Sequence, residues 1–118
     1  MLIQFPTRIT AMFDGLAKIV DKFDIELIIS YGSTITGLKK GVSNKTDTDL
    51  IIVSDFFMSM SRAKRVDLVL KEISGNFDPI IITKKEYLGL KGREESIVNV
   101  ALSEGLILYA KRRNGSGA

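Results

Sequence analysis

Stretches with helical apolar spacing alternate with short β-branched runs along the whole of this chain. That alternation restricts it to a sheet covered by helices. Between residues 8 and 23, Ile9, Met12, Phe13, Leu16, Ile19, Val20 and Phe23 share one helical face, which predicts an amphipathic helix that ends at Asp24. Residues 25–31, IELIISY, read as a buried strand ended by Gly32, and residues 33–38 as a short helix after the turn. A polar, basic loop over 39–46 leads into a second strand, DLIIV, at 49–53. Ser61 is placed to cap a helix over 62–74, with Ala63, Val66, Val69, Leu70 and Ile73 inward and Gly75 at its end. A third strand is predicted over 77–83. Asp78 precedes a proline and so favours extended geometry, and Pro79, lacking an N–H, belongs at a strand start or on an edge. A last helix near 94–103 and a strand over 106–110 complete the order α-β-α-β-α-β-α-β. The expected fold class is therefore α/β or α+β, a mixed sheet of about four strands flanked by helices. With 118 residues, one domain over 1–112 is expected, followed by a disordered tail at 113–118.

Composition narrows the chemistry. There are no cysteines and no histidines. That removes a disulfide scaffold, a Cys/His zinc site, a thiol nucleophile and a Ser-His-Asp triad. Carboxylates, hydroxyls, amines and backbone groups remain. The net charge of +3 is too small to imply a nucleic-acid binder, and no aromatic stacking stripe accompanies it, although the basic clusters suit an anionic ligand. The N-terminus, MLIQFPTRIT, has no basic leader region, and its apolar run stops at Gln4 and Pro6. No apolar stretch approaches the roughly 20 residues of a membrane helix, so a cytoplasmic protein without membrane contact is expected.

Three features then stand in order: Gly32-Ser33 at the end of one strand, Asp47-Thr48-Asp49 entering the next, and Asp78 entering the third. Side chains two apart on a strand share a face, so Asp47 and Asp49 can converge. Close carboxylates repel, and a divalent cation removes that repulsion; magnesium joins one or two carboxylates to substrate phosphates. Glycine lets a backbone approach an anion, and a hydroxyl with free N–H groups at a helix start binds phosphate oxygens. Gly-Ser turns and Asp-x-Asp strand entries are commonplace in isolation. Their order at three strand ends is what favours one site.

The pattern Y-G-S-x12-T-D-T-D-L-I-I-V, followed one helix later by F-D-P-I-I-I, resembles the nucleotidyltransferase superfamily of DNA polymerase β. In size the chain is similar to its smallest members, the minimal nucleotidyltransferase (MNT) proteins. The resemblance implies a polymerase β palm-like fold in which Gly32 and Ser33 bind the β- and γ-phosphates of a nucleoside triphosphate. It implies that Asp47 and Asp49 hold two magnesium ions, and that Asp78 binds the catalytic one and activates the acceptor. The implied reaction is transfer of a nucleoside monophosphate, AMP from ATP, with release of pyrophosphate. A helical HEPN-type protein is the partner the resemblance implies, with the chain acting as its antitoxin. Thr34 and Thr36 stand where small members often carry the arginines of G-S-R-x-R-G. A nucleotidyltransferase-fold module that docks a partner without catalysis is therefore the second function to weigh. The nucleobase, the acceptor, the oligomeric state and a nucleic-acid partner are left open by the sequence.

Overall fold

The computed structural model describes residues 7–32, 48–73 and 77–111, with side chains over 15–32, 49–73 and 77–111. Its elements are α1 (Thr7–Lys22), β1 (Leu27–Tyr31), β2 (Thr48–Val53), a 3-10 turn (Asp55–Phe57), α2 (Arg62–Leu70), β3 (Phe77–Ile82), α3 (Lys84–Lys91), α4 (Ile97–Glu104) and β4 (Leu106–Ala110). The short helix expected at 33–38, the loop at 39–46, the cap at Gly75 and the tail at 113–118 lie outside the described residues.

The strands form one mixed sheet in the order β3-β2-β1-β4, as the fold class anticipated. β1 pairs antiparallel with both β2 and β4, whereas β2 and β3 run parallel. A parallel pair needs a crossover, and α2 supplies it. β3 lies at an edge, which is where a strand can hold Pro79 without losing a central ladder bond.

Helices cover both faces, so β1 and β2 are continuous apolar runs rather than alternating ones. On the first face Ile28, Leu50, Ile52 and Ile81 pack with Leu16, Ile19 and Phe23 of the α1 region, and with Phe57, Val69 and Ile73. On the second face Ile29, Ile51, Val53 and Ile82 pack with Val98 and Ala101 of α4. Asp24, which ends the α1 pattern, turns the chain through a left-handed φ of 48°. Its short polar side chain makes that conformation accessible. Among the described residues no helix is long and apolar enough to cross a membrane.

Two expectations need correction. The segment between β3 and β4 holds two helices, not one: α3 precedes α4, and the latter begins at Ile97. Thr83 caps α3 with a full capping box, its hydroxyl accepting from the Glu86 N–H while the Glu86 carboxylate accepts from the Thr83 N–H. The motif T-K-K-E carried that signal in the sequence. Helix α2 ends at Leu70 instead of running to 74, and Ala63 and Leu70 face outward. Val69 is buried as read, and Arg65, only 6% exposed, joins it on the inward side. The Ser61 cap holds, its hydroxyl accepting from the Lys64 N–H at 3.1 Å.

Arg65 ties α2, β3 and α3 together. Its guanidinium donates to the carbonyl of Met60 at 3.1 Å, to that of Ile81 at 2.9 Å and to the Glu86 carboxylate at 2.7 Å. Arg65→Met would strand two carbonyls and one carboxylate, so a loss of about 2–4 kcal/mol is expected in denaturant unfolding. The Arg65 hydrogen bond, helped by the Thr83 N–H, holds Glu86 below the ordinary carboxylate range. A carboxylate with a depressed folded value stabilises fully above its unfolded value and loses that contribution as pH falls through the folded one. The stability of the wild type should therefore drop on acidification below the ordinary glutamate range. Glu86→Gln should flatten that part of the curve.

Candidate functional site

Because β1 runs against β2 while β2 and β3 run together, the end of β1 meets the beginnings of β2 and β3. The register is explicit: Tyr31 pairs with Asp49, and Asp49 pairs with Asp78. Residues paired across strands share a face, and faces alternate along each strand. Asp49 therefore lies on the face of Ile51 and Val53, and Asp78 on that of Ile80 and Ile82, which is the second face in both cases. Two carboxylates thus stand side by side on one surface, Asp49 half-buried and Asp78 exposed.

Gly32 completes this corner. Its φ is 88°, a left-handed value that side chains with a Cβ adopt at a cost. A Cβ built there would lie 2.2 Å from Oδ2 of Asp49 and 3.2 Å from its Cγ. The Asp49 carboxylate occupies the volume that any other residue at position 32 would fill. Glycine therefore serves two needs, the turn and the seat of Asp49. The first was readable from sequence and the second required the β1–β2 register.

Ser33 and Asp47 lie outside the described residues, so the structure brings together three of the five expected positions: Gly32, Asp49 and Asp78. Among the described residues no group of three His, Cys, Asp or Glu side chains is arranged to hold a metal ion. The Asp49–Asp78 pair does have the donor chemistry of a magnesium site. Both ligands are hard oxygen donors, both lie on one face, and Asp49 is seated against backbone that lacks a Cβ. Sequence reasoning missed Tyr31. It pairs with Asp49 across β1 and β2, and burial, then the charge of Asp49, then that of Asp78 raise its phenol above the ordinary value. The signal available in sequence was the alternation from Leu27 through Ile29 to Tyr31.

No protein-family model matches the sequence, and no curated protein matches it at a significant level. Among solved structures, the fold is similar to that of a "putative nucleotidyltransferase" from Sulfolobus solfataricus. The TM-score is 0.59 and the identity 17%, over 86% of this chain and 79% of the other. At that identity the likeness concerns the fold: a four-stranded mixed sheet with helices on its faces, built on the same plan.

Proposed function

We propose that this chain is a magnesium-dependent nucleotidyltransferase that moves AMP from ATP to a macromolecular acceptor. A helical HEPN-type protein is the partner proposed. The observation that carries the reading is the register pair Asp49–Asp78, two carboxylates on one sheet face with Asp49 seated against Gly32. The shared fold with the Sulfolobus protein supports it.

In this reading Asp47, Asp49 and Asp78 would hold magnesium, which would supply charge neutralisation for the phosphates and for the developing negative charge of the reaction. The chain's own part is positioning. Gly32 and Ser33 hold the terminal phosphates, while the sheet fixes Asp49 and Asp78 in place without reorganisation. An acceptor hydroxyl attacks the α-phosphorus in line. The new P–O bond forms as the bond to the bridging oxygen breaks, pyrophosphate leaves, and the hydroxyl proton passes to the Asp78 carboxylate.

Calorimetry with ATP and magnesium tests the binding half. Wild type should bind only with the metal present, and Ser33→Ala should weaken binding about tenfold by removing one hydrogen bond to a charged oxygen. Equal binding by both proteins, or by wild type without metal, would place the phosphates elsewhere. Incubation with labelled ATP, magnesium and a HEPN-type partner tests the chemistry. Label on the partner supports the enzyme. A stable complex with no transfer leaves the docking module that Thr34 and Thr36 bring into consideration.

A further inference from the structure

The mechanism above leaves one group at the site without a task. Tyr31 is the last residue of β1, paired with Asp49, which is in turn paired with Asp78. By alternation it shares the face of Leu27 and Ile29, and its ring packs at the margin of the second core cluster. The residue is half-buried, so the ring is held while part of it stays accessible. A tyrosine extends further from a sheet than an aspartate does. From the same sheet face, a phenol at this register position has the length to reach past the carboxylates of Asp49 and Asp78.

We propose that Tyr31 is a substrate-positioning residue, whose hydroxyl donates a hydrogen bond to a phosphate oxygen of the triphosphate held at Asp49 and Asp78. The inference rests on the nucleotidyltransferase reading and deepens it. A phenol is protonated at neutral pH, so it is available as a donor. A neutral donor suits this position. It adds to the binding of an anion between carboxylates without forming a fixed ion pair with them, as a lysine would.

The chain has three tyrosines and no tryptophan, so its intrinsic emission reports on Tyr31, Tyr87 and Tyr109 alone. Tyr31→Phe keeps the ring packing and removes only the hydroxyl. The ligand for the test is magnesium with inorganic triphosphate, which does not absorb where tyrosine does. Wild type should change its tyrosine emission on binding, and Tyr31→Phe should lose that change. The variant should also bind about tenfold to a hundredfold more weakly by calorimetry, at unchanged thermal stability, as expected for one hydrogen bond to a charged group. In transfer assays the KM for ATP should rise more than kcat falls. If wild type binds in an Asp49-dependent manner while Tyr31→Phe binds equally well and the wild-type emission is unmoved, the Tyr31 proposal is overturned and the nucleotidyltransferase reading stands. If wild type does not bind, or binds indifferently to Asp49→Asn, both are overturned together.

Discussion

Asp49→Asn is expected to lower nucleotidyl transfer by at least about two orders of magnitude, and to remove magnesium-dependent nucleotide binding, while leaving the fold intact. The asparagine has nearly the same shape, so it still fits against the Cα of Gly32 and clashes with nothing that Asp49 tolerated. What it lacks is the charge. Asp49 and Asp78 are register neighbours on one face, and like charges placed directly opposite destabilise a sheet. Removing one charge relieves that repulsion, while the contact that Asp49 itself makes is weakened, so thermal unfolding should move little. Asp78→Asn should act in the same direction, with binding less affected and transfer strongly so, since the proposed proton acceptor is lost. Parallel calorimetry, transfer assays and thermal unfolding on both variants distinguish these effects. Unchanged transfer in both would sink the enzyme. Lost transfer with a collapsed melting transition would instead make the pair structural.

The strands were legible in the sequence because they depend on local composition, although β1 begins at Leu27 instead of 25 and β3 ends at Ile82 instead of 83. The run DLIIV and the Asp78-Pro79 step announce where β2 and β3 begin, and β4 lies at 106–110 as read. What was not legible depends on contacts between distant segments. Arg65 reads as a surface residue of an amphipathic helix, yet it is buried because the Ile81 carbonyl and Glu86 offer partners for its fork. α3 contains Gly89 and fully buries none of its side chains, with only Tyr87 and Leu90 packed half-buried against the second cluster, so its apolar spacing is too sparse to announce a helix. The T-K-K-E capping box was the remaining signal. Tyr31 looks like an ordinary strand aromatic until the antiparallel register sets it opposite Asp49. Ser33 and Asp47 remain sequence expectations, and their roles rest on the proposed function.

Gly32→Ala carries the second large effect, and it separates the two demands made on this glycine. The left-handed φ of 88° costs a residue with a Cβ roughly 1–2 kcal/mol. The added methyl would also sit 2.2 Å from Oδ2 of Asp49, well inside contact distance. Something must move, and the carboxylate is softer than the β1 backbone that two neighbouring strands hold in register. Asp49 is therefore expected to rotate away from its seat. Metal-dependent nucleotide binding should then fall at least about tenfold, and transfer further, because a misplaced ligand loses alignment as well as affinity. Stability should fall by about 1–3 kcal/mol, with strain and the displaced carboxylate both contributing. Gly89 provides the control, since a Cβ there meets nothing within 4 Å. Gly89→Ala in α3 should raise stability by about 0.5–1 kcal/mol and leave binding alone. A Gly32→Ala protein that loses stability yet binds magnesium and ATP like wild type would show that Asp49 keeps its function when displaced. The seat against Gly32 would then serve the turn alone.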